Sequence, residues 1–140
     1  MFSTVAVGTD GSSTAADAVK AAAEIARRFD AKVLLLSAFR ESGEAPSDPS
    51  GEEEQWAFNP VARLREILAR QEDELRRQGL DCSTLFEEGD PADVLVRLAD
   101  ISGADLLVIG NKGMRRRVLG SVPNTVAHRA PCAVLVVKTT

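Results

Sequence analysis

The chain has 140 residues, enough for one domain, 1–140, with a real core. Its 44% apolar and 27% charged residues are ordinary for a soluble globular protein. A formal charge of −4 argues against nucleic acid as the main partner, and no apolar run approaches the ~20 residues of a membrane span. The chain starts without a basic, apolar leader, so the expected location is cytoplasmic.

Thr4-Val5-Ala6-Val7-Gly8 reads as a first strand, and Asp10-Gly11-Ser12-Ser13 as a turn with helix-capping chemistry. Ala15, Ala18, Val19, Ala22, Ile25, Ala26 and Phe29 follow at helical spacing, with Lys20, Glu24 and Arg27 opposite. An inner face made mostly of alanine lets such a helix lie close to a sheet. Lys32 to Ala38 reads as a second strand, apolar on both faces.

Residues 40–58 change character. Glu41, Glu44, Asp48, Glu52, Glu53 and Glu54 are interrupted by Gly43, Pro46, Pro49 and Gly51, which predicts a mobile acidic loop. Trp56 and Phe58 close it and are expected to anchor it to the body. Asn59-Pro60 opens a second helix whose inner stripe is Val61, Leu64, Ile67, Leu68 and Leu75. Cys82 to Glu87 alternates, with Thr84 and Glu87 among its residues, as an edge strand does. Asp90-Pro91 caps and starts a third helix, with Val94, Leu95, Leu98 and Ile101 facing inward. Cys82 and Cys132 form no CxxC pattern and read as small buried hydrophobes rather than a disulfide.

Asp105 to Ile109 reads as a fourth strand. It runs into Gly110-Asn111-Lys112-Gly113-Met114-Arg115-Arg116-Arg117-Val118-Leu119-Gly120-Ser121, which precedes a short helix through Val126 and His128. A glycine-rich, cationic turn between a strand and a helix start is suited to phosphate: glycine admits close backbone approach, and a helix N-terminus supplies amide donors. Ala133 to Val137 reads as a final strand.

Strands alternating with helices imply an α/β fold: a doubly wound five-stranded parallel sheet of order 3-2-1-4-5 with helices on both faces. That order sets the first and fourth strands side by side where the winding reverses, and ligands bind outside the carboxyl ends there. Gly8-Thr9-Asp10 and Gly110-Asn111 fall at those ends and are the expected ligand contacts there. The last strand is then an apolar edge, so Val134, Leu135, Val136 and Val137 are expected to pair with the same strand of a second copy.

The sequence resembles the universal stress protein family over nearly its whole length. The marks are Val5-Ala6-Val7-Gly8-Thr9-Asp10-Gly11-Ser12, Gly89-Asp90-Pro91, the glycine turn, and Val126 to Val137 with its His128-Arg129-Ala130-Pro131. The resemblance implies a five-stranded doubly wound fold, dimerisation through the last strand, and a regulatory role in stress. It also implies ATP in the nucleotide-binding branch and cyclic AMP in some members. That branch has Gly-x2-Gly-x9-Gly-Ser/Thr. Here Gly110, Gly113, Gly120 and Ser121 match, but only Met114 to Leu119 stand between, so the phosphate loop is three residues short. ATP is the first expectation, with AMP or cyclic AMP open because of that deletion.

On this reading Gly110 and Gly113 pass close to ribose and phosphate. Gly120, Ser121 and Val122 offer N–H donors, and Arg115 is one of the cations able to neutralise phosphate. Asp10 either accepts a ribose hydroxyl, carries Mg²⁺ beside the phosphates, or caps the first helix. Ala38 and Phe39 offer backbone groups to an adenine edge. His128 has no Ser, Cys or acid near it in sequence and reads as a surface or interface residue. No catalytic constellation emerges, which suggests holding a nucleotide rather than turning it over. Two other readings stay open: a nucleotide-free protein-interaction dimer, and a weak ATP hydrolase. The protein partner is unknown.

Overall fold

The computed structural model describes residues 1–40, 60–111 and 120–138. The elements are β1 (Thr4–Gly8), α1 (Ser13–Phe29), β2 (Lys32–Phe39), α2 (Pro60–Arg77), β3 (Cys82–Glu88), α3 (Pro91–Ser102), β4 (Leu106–Asn111), α4 (Ser121–Arg129) and β5 (Ala133–Lys138). The strands form a five-stranded sheet in the order β3-β2-β1-β4-β5, with every neighbouring pair parallel. This is the expected doubly wound sheet. The expected loop beyond Arg40, with Trp56 and Phe58, lies outside the described residues, as do Lys112, Gly113 and Arg115 to Arg117.

Side chains alternate across the pleat, so each central strand feeds two cores. Val5, Val7, Val33, Leu35 and Val108 pack under α1 and α2. Ala6, Leu34, Leu36, Leu107 and Ile109 pack under α3 and α4. Leu35, Leu36 and Leu107 are wholly buried, each contributing roughly 1.5–3 kcal/mol by removal from water. Helix α1 buries Ala15, Ala18, Val19, Ala22, Ala23 and Ala26, the small-residue face that the sequence predicts.

Four details depart from the sequence expectations. Phe29 is 48% exposed and lies edge-on against Phe2, because α1 stops there: Asp30 turns left-handed at φ 55° and Ala31 enters the core instead. Ile101 is exposed, sitting at the margin of the α3 stripe one residue from the helix end. Val61 and Ile67 are only half-buried, since α2 covers β2 and β3 at the edge of the sheet. Strand β4 continues past Ile109, pairing Gly110 with Val137 and Asn111 with Lys138.

Caps and ties hold the ends. Ser12 caps α1 through a hydrogen bond from the Ala15 amide, and Asp90 caps α3 through one from Asp93. At the amino end of the sheet, Asp105 Oδ2 accepts from the Ser3 amide, the Ser3 hydroxyl and the Thr4 amide at 2.8–2.9 Å. This carboxylate joins the start of β1 to the start of β4. No helix among the described residues is long and apolar enough to cross a membrane.

Candidate functional site

The ladder between β1 and β4 stops at Val7–Val108. Beyond it β1 leans toward β2, pairing Gly8 with Leu36 and giving the Thr9 amide to the Leu36 carbonyl at 2.9 Å. Over the same distance β4 stays with β5 as far as Asn111. The two halves of the sheet therefore diverge at their carboxyl ends, between Gly8-Thr9-Asp10 and Gly110-Asn111, and this reversal point is the candidate crevice.

The turn after β1 is closed by its own side chains. Thr9, 5% exposed, accepts from the Gly11 amide and donates to Gln71 Oε1 on α2, both at 3.2 Å. Asp10 Oδ1 accepts from the Ser12 amide at 2.8 Å, while the residue itself is exposed. Ser12 rather than Asp10 caps α1. Asp10 instead braces the turn, in the way short acidic side chains do two residues before an amide. Gly11 has φ +84°, a conformation glycine adopts without cost, and a Cβ there would stand 2.8 Å from Ile67.

The glycines of the crevice are small for packing reasons. A Cβ on Gly8 would meet Leu95 of α3 at 3.0 Å. One on Gly110 would meet the Thr14 side chain at 2.8 Å and the Thr14 carbonyl oxygen at 2.9 Å, so the first turn of α1 rests directly on Gly110.

On the β2 side, backbone groups alternate between neighbours. Leu36 faces β1, so Ala38 presents its N–H and C=O to that same side, past the last β1 pair. Phe39 faces the other way: its carbonyl accepts from the Gly89 amide at 2.9 Å, and its ring sits edge-on to Phe86. Of the two residues expected to meet an adenine edge, Ala38 alone turns backbone groups toward the crevice. Near it Arg40 pairs with Asp90 at 3.5 Å.

The far wall is the start of α4. Gly120 is its N-cap, with no side-chain cap bond, and the Asn124 amide makes the first helical bond to the Gly120 carbonyl. Ser121, Val122 and Pro123 fill the first turn. Pro123 has no N–H, so the outward amides are those of Ser121 and Val122, with the exposed Ser121 hydroxyl beside them. Ser121 does not cap its own helix. Gly120, expected to offer a third donor, gives its N–H to Asn111 Oδ1 at 2.9 Å, and Asn111 is 4% exposed.

Gln71 and the Asn111–Gly120 bond are the features that sequence reasoning missed. Gln71 sits on α2, 62 positions from Thr9, with no local pattern to mark it. His128 is exposed on α4. Both cysteines are free thiols: burial pushes Cys82 up to about 12, and burial also raises Cys132. Two surface hollows lie elsewhere, one around Arg27, Lys32 and Asp81 and one around Asp93, Arg97 and Arg129. Among the described residues no group of three His, Cys, Asp or Glu side chains is placed to hold a metal.

Comparison with known proteins agrees with this architecture. The pattern of the universal stress protein family matches residues 1–138. A universal stress protein of Mycobacterium tuberculosis is 40% identical over 147 residues, covering 99% of this chain and 98% of the relative. One from Methanocaldococcus jannaschii is 34% identical over 151 residues, covering 99% and 83%. Among solved structures, a universal stress protein in complex with cAMP superposes with a TM-score of 0.74 at 35% identity, covering 99% of this chain and 98% of that one. The universal stress protein UspA from Lactobacillus plantarum shares the fold with a TM-score of 0.78 at 24% identity, covering 97% of each. With its fold, its family pattern and its relatives in accord over nearly the full length, the chain belongs to the universal stress protein family.

Proposed function

We propose that the chain binds an adenine nucleotide in the crevice between β1 and β4 and acts as a regulatory dimer. The observation that carries this reading is the pair of complementary walls. The Ala38 N–H and C=O lie on one side, a donor and acceptor suited to an adenine edge, and the Ser121 and Val122 amides lie on the other. The related structure with cAMP, at 35% identity, supports the same ligand class. Asp10, exposed at the mouth, accepts a ribose hydroxyl. It also suits one position on a Mg²⁺ whose other ligands are phosphate oxygens and water.

The loop between Gly113 and Gly120, three residues shorter than the nucleotide-binding pattern, leaves less room for a triphosphate and favours cyclic AMP or AMP over ATP. Dimerisation would use β5, whose outer edge carries Leu135 at 36% exposure beside half-buried Val134, Val136 and Val137. Occupancy of the crevice would then be read by a partner protein.

Titration calorimetry with cyclic AMP, AMP and ATP, each with and without Mg²⁺, tests the reading. Cyclic AMP and AMP are expected to bind more tightly than ATP. Silence from all three under both conditions would overturn it.

A further inference from the structure

Asn111 was expected to touch the ligand. The structure also gives its Oδ1 a partner within the chain. It is the last residue of β4, nearly buried, and its Oδ1 accepts the Gly120 amide at 2.9 Å across nine positions of sequence. The acceptor is fixed by chemistry, because an N–H can bond only to the oxygen end of the carboxamide. Gly120 has no side chain with which to cap α4, and no side-chain cap bond forms there. Asn111 therefore ties the entry residue of α4 to the end of the sheet. The base of the turn is held by a side chain that belongs to the strand.

We propose that Asn111 is a positioning residue for the phosphate wall: it sets Gly120, and through Gly120 the two outward amides of Ser121 and Val122. The role rests on the nucleotide reading above. Its physical basis is that donors aimed in advance need no ordering when the anion arrives. The bond also removes the Gly120 amide from the donors that the start of α4 presents, leaving those of Ser121 and Val122. Asn111 thus contributes to which anion fits without touching it.

The tie predicts a phosphate-specific defect. In Asn111→Ala the affinity for AMP is expected to fall about tenfold more than the affinity for adenosine, roughly the worth of one hydrogen bond to a charged group. Adenosine shares the base and ribose but carries no phosphate, so it reports on folding and on the adenine wall. Amide exchange by NMR gives a second readout that needs no ligand. The Gly120 N–H should be protected in the wild type and exposed in Asn111→Ala. It should be protected again in Asn111→Asp, which keeps an acceptor oxygen at the same place.

Unchanged Gly120 exchange in Asn111→Ala overturns the tie. Equal losses for AMP and adenosine reduce Asn111 to a general packing residue and overturn the positioning role. Wild-type protein that binds none of AMP, cyclic AMP and ATP overturns the nucleotide reading and the ligand role with it. That outcome differs from the first because Gly120 exchange would still change in Asn111→Ala.

Discussion

Among the described residues, Asp105 is the carboxyl whose hydrogen bonds tie stability to pH. The Ser3 hydroxyl, then the Thr4 and Ser3 amides, hold its carboxyl below the usual carboxylate range. A carboxyl depressed in the fold adds stability at pH values above its unfolded pKa and loses it as pH falls through the folded pKa. Asp105→Asn should therefore unfold at lower urea than wild type at pH 7, and the two should converge only once pH falls below the depressed folded pKa of Asp105, where both side chains are neutral. Equal urea midpoints at pH 7 would show that the three hydrogen bonds add nothing net. This residue drew no notice in the sequence, where Asp105 reads as an ordinary strand-start acid. Its partners are more than 100 positions away. Thr9 and Asn111 stand out in the sequence as ligand contacts, and the fold adds intramolecular bonds that the sequence does not mark, to Gln71 and Gly11 for Thr9 and to Gly120 for Asn111.

Among the elements, the docking of α1 on β4 sets the width of the crevice. Alanines let the helix lie close, and Gly110 lets its first turn touch the strand. Gly110→Ala puts a methyl 2.9 Å from a backbone oxygen, so α1 or β4 has to shift. We expect a loss of roughly 1–3 kcal/mol in urea denaturation, the usual cost of overpacking, together with weaker nucleotide binding. Wild-type stability in this variant would mean that the contact relaxes freely. The sequence marked Gly110 for closeness to phosphate, and the folded chain also sets it against the first turn of α1. Periodicity did locate each helix and strand. It misjudged Phe29, Ile101, Val61 and Ile67 because a stripe continues in pattern after the helix has left the sheet or reached its edge.

For the whole molecule, the open question of assembly lies at β5. Its neighbour β4 covers one edge, and the other is uncovered among the described residues. A dimer through that edge predicts that Leu135→Lys, a change at a position already 36% exposed, gives a folded monomer by light scattering at micromolar concentration. A variant that stays dimeric would move the interface away from β5. Little stability should be lost within the protomer, because Leu135 contributes little to either core.

The order of elements, the parallel sheet with its reversal point, and the apolar last edge were all legible in the amino-acid sequence. Each follows from local periodicity, turn residues and the handedness of crossovers, which act over short stretches of chain. Strand order alone also places the reversal point between β1 and β4. What waited for the tertiary structure was the assignment of groups within it. The folded chain determined that Ala38 rather than Phe39 turns its backbone groups toward β1, that Gly120 answers to Asn111, and that the Ser121 and Val122 amides point outward at the start of α4. Those choices depend on which distant groups meet, and a hydrogen bond between residues far apart in sequence leaves no pattern in the residues between them.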